Sequence, residues 1–242
     1  MTQQEFMDAC FRIFAQNHMA CSSEQAEKLY LLTRHMLTVN QSMNLPAITD
    51  EKEVILRHYV DSLTISAHIP QGASVIDVGC GAGFPSLPLA IFRPDLTILA
   101  LDGTAKRITY VYETAHLLAL KNMTALAARA EEMANLPKYR EQFDVVTARA
   151  VAAFPVLCEL CLPFARVGGK MIAMKSQQAN EELIMAKNGI SLCGGGQSEA
   201  ISCDLVSEST GIEKRTLLIV KKIEKTPKKY PRHFSQISKK PL

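Results

Sequence analysis

The sequence predicts an α/β fold: a seven-stranded, mostly parallel sheet with helices on both faces, preceded by a small helical N-terminal region. Three observations carry that reading. From Ala73 onward, apolar runs of strand length alternate with helix-length amphipathic stretches, the signature of a parallel sheet whose crossovers cover its faces. The first of those runs ends in glycines at 79, 81 and 83 and passes straight into helix-compatible residues. Before residue 73 the apolar residues recur only at helical spacing. The chain therefore divides into residues 1–72, a helical region packed on the sheet domain; residues 73–224, the sheet domain itself; and residues 225–242, a basic tail expected to be flexible.

Phe6, Cys10, Ile13 and Phe14 place a first helix within 3–17. Ser22 and Gln25 form a capping box for a second, which runs to about Asn40 with Ala26, Leu29, Tyr30, Thr33, Met36 and Leu37 on one face. Asn44-Leu-Pro46 breaks it. A third helix spans Glu51 to Ile69, with Asp50 as N-cap and Pro70-Gln-Gly72 as terminator. Strand one is Ser74–Gly79, and a helix follows from Phe84 to about Arg93, where Pro94 disfavours further helix. Strand two is Leu96–Asp102, and the next helix, Thr104–Leu120, turns Ile108, Val111, Ala115 and Leu118 to one side. Strand three is Met123–Ala128 and strand four Phe143–Arg149, with a helix after Pro155 that ends at Gly168-Gly169. Strand five is Gly169–Lys175, followed by a helix over Gln178–Asn188. The weaker runs Ile201–Val206 and Lys214–Ile223 complete the seven strands.

Composition excludes several classes. At 48% hydrophobic residues the chain has material for one large core, yet no run approaches the 18 or so uncharged apolar residues of a membrane span. The first residues show no basic then apolar leader, so a cytoplasmic protein without membrane contact is expected. Seven cysteines form an odd set with no paired metal spacing, which fits a reducing compartment. Cys158-Glu-Leu-Cys161 lies in an apolar helical stretch and reads as buried thiols, so no metal site is expected. The net charge of +3 is uneven: residues 221–242 carry eight Lys/Arg and Glu224, whereas the other 220 residues carry 19 basic and 23 acidic side chains. A near-neutral body with a +7 end points to a polyanionic partner.

The glycine run is where chemistry is legible. Glycines on alternate positions bare backbone amides near a helix N-terminus, a cradle for a nucleoside-bearing ligand. The pattern is G-x-G-x-G, not the dinucleotide G-x-G-x-x-G, and Asp77 stands two residues before it. A carboxylate there opposes phosphate but suits S-adenosylmethionine, which carries a sulfonium and an ammonium group. Asp102, ending strand two, can accept hydrogen bonds from ribose hydroxyls in either cofactor class. A nicotinamide site and a glycine turn without ligand stay open on residues alone. In open sheets the ligand lies outside the carboxyl ends of the strands, which brings Asp77, Gly79, Gly81, Gly83, Asp102, Ala130-Glu131-Glu132, Arg149 and Lys175-Ser176 together. Each has a plainer reading: Glu131 and Glu132 as charges at a helix start, Arg149 as a satisfied ion pair, Lys175 as surface.

Absent motifs bear on the acceptor. No Asn/Asp-Pro-Pro-aromatic segment follows strand four, where the chain reads Thr147-Ala-Arg-Ala-Val-Ala152, and no cysteine ends strand four or five. An exocyclic amine and a ring carbon are thereby disfavoured. A ring nitrogen with a ready lone pair, such as purine N7, or an oxygen acid, remains, and the former needs positioning without a general base.

Several separated motifs are similar to one family. They are Asn44-Leu-Pro-Ala-Ile-Thr-Asp50, Arg57-His-Tyr-Val-Asp-Ser62, Asp77–Pro88, Lys106-Arg107, Arg129-Ala-Glu131, Thr147–Val151 and Thr226-Pro-Lys-Lys-Tyr-Pro-Arg232. Together they resemble the bacterial RsmG (GidB) family, which methylates N7 of a guanine in 16S ribosomal RNA with S-adenosyl-L-methionine. The resemblance implies a Rossmann-like class I methyltransferase fold and donor contacts at Gly79, Phe84, Ala130, Glu131 and Arg149, with Asp77 and Asp102 at the methionine and ribose ends. It places the Arg57-His58 and Asp61-Ser62 segment near the site mouth, either touching substrate or docking the helical region onto the sheet, and makes Arg57, His58, Lys175, Lys228, Lys229 and Arg232 candidates for RNA contact. Arg149 is the positioning residue expected to matter most for turnover. The implied partner is 16S ribosomal RNA or the small subunit, with no obligatory protein partner. Two positions depart from the family pattern: Pro46 stands where Thr is common, and His233-Phe-Ser-Gln236 replaces a Gly-Thr-Pro segment.

Overall fold

The computed structural model describes residues 1–43, 48–175 and 179–242; the break expected at Asn44–Pro46 and the residues Ser176–Gln178 lie outside the described residues. Helices α1 (Gln3–Gln16) and α2 (Ser23–Met43) open the chain. Ser22 and Gln25 close the expected box, the Ser22 N–H donating to the Gln25 amide oxygen at 2.8 Å and the Gln25 N–H to the Ser22 hydroxyl at 3.2 Å. Phe6, Cys10, Ile13 and Phe14 of α1 are buried with Ala26, Leu29, Leu32 and Met36 of α2. Leu37, expected on that face, is only half-buried.

The third helix departs from expectation. Asp50 does cap it, accepting the N–H groups of Lys52 and Glu53 at 3.0 Å each. The single helix expected over 51–69 is instead α3 (Glu51–Val54), a π-helical segment (Ile55–Val60), α4 (Asp61–Leu63) and a 3₁₀ turn (Ser66–His68). A π turn accommodates an extra residue and so rotates everything after it, a change that apolar spacing does not reveal. Arg57 and His58 lie inside that widened turn and Asp61 directly follows it.

The sheet then builds as expected. Strands β1 (Ser74–Val78), β2 (Thr97–Asp102), β3 (Met123–Ala127), β4 (Phe143–Arg149) and β5 (Ala165–Lys175) run parallel, alternating with α5 (Ser86–Phe92), α6 (Ala105–Leu117), α7 (Ala130–Met133) and α8 (Phe154–Cys161). Gly168 and Gly169, expected to end a helix, lie inside β5 where its register against β4 slips; a Cβ on Gly169 would stand 2.7 Å from the Asp144 carbonyl oxygen. The helix expected over Gln178–Asn188 is two, α9 (Ala179–Met185) and α10 (Lys187–Leu192). Strand β6 (Gly195–Ser202) begins six residues before the expected run Ile201–Val206 and shares only Ile201 and Ser202 with it. Strand β9 (Thr216–Lys222) lies antiparallel between β5 and β6.

Strand order is β3-β2-β1-β4-β5-β9-β6, reversing direction of growth between β1 and β4. Neighbouring residues face opposite ways and both faces are covered, so Val75, Ile98, Val145 and Ile172 join one core and Ile76, Leu101, Val146 and Ala173 the other. A small hairpin, β7 (Leu205–Ser207) and β8 (Gly211–Glu213), docks on the helical region, with the Val206 N–H donating to the Asn17 side chain at 2.8 Å.

The tail is the main correction. Residues 225–242, expected to be loose because of their polarity, lie against the body and include α11 (Phe234–Lys239). Non-local polar contacts hold them. The Lys222 ammonium is buried and donates to the carbonyls of Leu162 and Cys193 at 2.9 and 2.8 Å and to the Thr226 hydroxyl. Burial lowers its pKa to about 8. Arg140 donates to the carbonyls of Thr226 and Tyr230 at 2.7 and 3.0 Å. Arg232, expected to reach RNA, turns inward: its guanidinium bonds both oxygens of Glu159, a side chain with no exposure, at 2.6 and 2.8 Å. Arg232→Ala would leave that buried carboxylate uncompensated and should destabilise the fold by about 3 kcal/mol, read by urea unfolding. A loss of under about 0.5 kcal/mol would show that the tail is not held by this pair.

Candidate active site

The turn after β1 is wound by three positive-φ glycines, Gly79 at +73°, Gly81 at +58° and Gly83 at +83°. They are glycines for different reasons. A Cβ on Gly79 would come within 2.5 Å of Val151 and one on Gly83 within 2.4 Å of Leu87, so those two admit the protein's own side chains. A Cβ on Gly81 meets nothing within 4 Å, and there the loop faces open space.

The amides expected to be bare are not. The N–H groups of Gly79 and Cys80 donate to the Leu101 carbonyl at 2.7 and 3.0 Å, and those of Gly83 and Phe84 donate to the Cys80 carbonyl at 2.9 and 3.1 Å. The Gly81 N–H donates to Asp102 Oδ2 at 3.0 Å, while Asp102 Oδ1 accepts the Thr104 N–H at 2.8 Å. Asp77 is corrected in the same direction. It is 1% exposed; Oδ2 accepts the Ser86 hydroxyl and N–H at 2.6 and 3.2 Å and Oδ1 the Thr147 hydroxyl at 3.2 Å. It braces the start of α5 and presents no free oxygen to a ligand. With the amides of Gly79, Cys80, Gly81, Gly83 and Phe84 spent internally and carboxylates nearby, the open face over Gly81 suits a cationic ligand better than a phosphate. Asp102, 6% exposed, and Glu131, 7% exposed in the first turn of α7, stand at the ends of β2 and β3, with Ala130 beside Glu131.

Next to this loop, across the ends of β4 and β5, opens a cleft of about 480 Å³ lined by Arg57, His58, Asp61, Arg149, Lys175 and Arg215 among others. Asp61 is its centre, with Arg149 on one oxygen at 3.0 Å and Arg215 on the other at 3.2 Å. Glu213 pairs with both Arg57 and Arg215, at 2.8 and 3.0 Å; Glu53 also holds Arg57, and Lys175 pairs with Glu182 at 2.8 Å. Arg149 is thus both the satisfied ion pair and a wall of the cleft. Phe84, expected to contact the donor, is 4% exposed, with the His58 ring stacked on it at 4.8 Å and the Arg149 guanidinium 5.3 Å from its centroid. Burial, with Arg149 nearby, lowers the His58 pKa to about 3, so the imidazole is neutral at physiological pH. Asp61 lies in the segment expected at the site mouth, and the structure puts it there. Glu213 and Arg215 were not among the expected site residues: Glu213 stands between two weak strand runs and Arg215 inside the second, and neither carries a local signal.

Lys228 and Lys229 are exposed but belong to the tail, away from the cleft. Cys158 and Cys161 are fully buried in α8, where burial raises both thiol pKa values. Among the described residues no cluster of His, Cys, Asp and Glu is arranged to hold a metal ion, and no helix is long and apolar enough to cross a membrane.

Gly81→Val should abolish binding of S-adenosylmethionine in a calorimetric titration, because the side chain would occupy the one open face of the loop; wild-type affinity would place the ligand elsewhere. Asp77 gives a pH signature. Burial raises its pKa from 3.8 to about 6, so it favours the folded state while protonated. That contribution is complete below about pH 4 and lost as pH rises through about 6. Urea unfolding of Asp77→Asn against wild type between pH 4 and 7 should show the difference; parallel stability curves would contradict it.

The GidB family, described as rRNA small subunit methyltransferase G, matches residues 25–210 of the chain. A relative named ribosomal RNA small subunit methyltransferase G from Lactobacillus delbrueckii subsp. bulgaricus is 43% identical over 223 residues, covering 90% of this chain and 91% of that one. One of the same name from Exiguobacterium is 45% identical over 205 residues, covering 84% and 85%. Solved structures share the fold: precorrin-6y C5,15-methyltransferase from Geobacter metallireducens (TM-score 0.51, 16% identity, 67% of this chain and 87% of that one) and M. jannaschii TYW2 in complex with AdoMet (TM-score 0.51, 15% identity, 66% and 73%). With the family pattern spanning helices, glycine loop and sheet alike, this chain belongs to the GidB family of rRNA small subunit methyltransferases.

Proposed function

We propose that the protein transfers the methyl group of S-adenosyl-L-methionine to N7 of a guanine in 16S ribosomal RNA. The observation that carries this reading is likeness to ribosomal RNA small subunit methyltransferases over nine-tenths of the chain. It coincides with a cleft at the carboxyl edge where strand order reverses, the place ligands occupy in such sheets. An RNA substrate puts the enzyme's work in the cytoplasm.

The residues present fit the donor: open space over Gly81, the Asp102 carboxylate on the Gly81 N–H, and Glu131 past the carboxyl end of β3. When bound, S-adenosyl-L-methionine supplies an electrophilic methyl on a positively charged sulfur. Purine N7 already holds a free lone pair, so no proton has to leave before attack. The cleft matches that requirement, since its histidine is neutral and its cations are locked in ion pairs. What it offers is fixed shape. Arg149 is held by Asp61 and by the Arg57 carbonyl at 3.2 Å, and it borders both the cleft and the Phe84 end of the glycine loop. Holding an acceptor in line at near-attack distance is worth orders of magnitude in rate without acid or base catalysis.

Incubation with radiolabelled donor and 16S RNA from a strain lacking this family's activity should yield labelled 7-methylguanosine on nucleoside analysis. Label in any other nucleoside would overturn the reading. Arg149→Ala should lower kcat/KM about 100-fold with little change in Tm, because Asp61 retains Arg215 as a partner. Full activity in that variant would assign Arg149 to structure alone.

A further inference from the structure

The cleft is poorly equipped to attract RNA. Its four cations, Arg57, Arg149, Lys175 and Arg215, are matched by Glu53, Asp61, Glu182 and Glu213, each engaged in an ion pair. A site for polyanions needs unspent positive charge.

That charge stands at the other edge of the sheet. Strand β9 is antiparallel to β5, with Thr216 opposite Lys175 at the cleft and Lys221 opposite Lys170. The chain therefore leaves β9 at the amino-terminal edge, about 20 Å from the cleft at roughly 3.3 Å per residue. The tail stays there. The Thr226 N–H donates to Glu141 at 2.7 Å, and Arg140, just before β4, holds the carbonyls of Thr226, Pro227 and Tyr230. Lys221, Lys225, Lys228 and Lys229 are all exposed on this segment, and Lys138, two residues before Arg140, is exposed beside it. The acids that the segment meets, Glu141 and Glu159, are turned inward, to the Thr226 N–H and Lys222 and to Arg232. Glu224 is the single acid in residues 221–242. The anchoring itself is informative. A solvated, functionless run of lysines has no need of a buried ammonium, a buried Arg–Glu pair and an arginine spanning three carbonyls to hold it still.

We propose that this amino-terminal edge, formed by Lys225, Lys228 and Lys229 with Lys138 and Lys221, is a second RNA-binding surface that grips phosphates of the same 16S ribosomal RNA whose guanine enters the cleft. The inference rests on the proposed function. It adds that the substrate is recognised as a folded RNA reaching across two opposite edges of the sheet, with affinity supplied at one and chemistry at the other.

The test is the full-length chain carrying Lys225→Gln, Lys228→Gln and Lys229→Gln together, which leaves the anchors Lys222, Arg140 and Arg232 in place. Binding of 16S RNA is measured against KCl concentration, with methylation kinetics alongside. Kd and KM for RNA should rise about tenfold at low salt, and the slope of log Kd against log salt should fall by two or about three. Affinity for S-adenosylmethionine and kcat at saturating RNA should stay within about twofold of wild type. Unchanged Kd and slope would reject the second surface, as would a fall in kcat with Kd unaltered, which would move these lysines to the reacting end. A wild-type chain that neither binds nor methylates 16S RNA would overturn the functional reading itself, and this inference with it.

Discussion

The Asp102 carboxylate is the contact on which the site depends. One oxygen holds the Gly81 N–H and the other the Thr104 N–H, so a single side chain ties the turn after β1 to the turn after β2. With Gly81 fixed at φ +58° and its Cβ position opening on empty space, the loop keeps one face clear while Val151 and Leu87 fill the others. Asp77 does the corresponding work for the entry to α5. Carboxylates that satisfy the loop's own donors also set its electrostatics, turning a motif that binds phosphate in other sheets into one that favours a cation.

The second constraint is the ion network around Asp61. It joins the π-helical segment of the N-terminal region to β4 and to the chain just before β9, so the helical region is part of the cleft's wall. A buried network of this kind fixes side chains in place more than it adds stability. Rigid walls and a neutral imidazole suit an acceptor that needs only to be held. The same pairing leaves the cleft without free charge, and the lysines of the opposite edge supply what it lacks.

Much of the architecture was legible because it is written locally. The apolar runs at 74–79 and 143–149, the capping pair Ser22 and Gln25 and the cap at Asp50 all stand within a few residues of the structure they specify. The glycine turn was legible as a turn, but which of its glycines faces solvent was decided by Val151 and Leu87. Asp77 and Arg232 read as ligand-facing because charged residues at strand ends and in basic tails are expected to meet solvent. Ser86, Thr147 and Glu159 captured them instead. Partners 70 or more positions away, such as Glu159 for Arg232 and Asp61 for Arg215, leave no trace in periodicity. The π turn leaves no such trace either, since one inserted residue barely disturbs an apolar pattern.

The most direct measurement is a crystal structure of the protein with S-adenosylhomocysteine. The ligand is expected at the carboxyl edge of β1 and β2, lying over Gly81 and touching Asp102, with the cleft beside Arg149 left open for the acceptor. A ligand lodged away from Gly81, or one that enters only after the Asp102 contact to the Gly81 N–H is broken, would contradict that expectation.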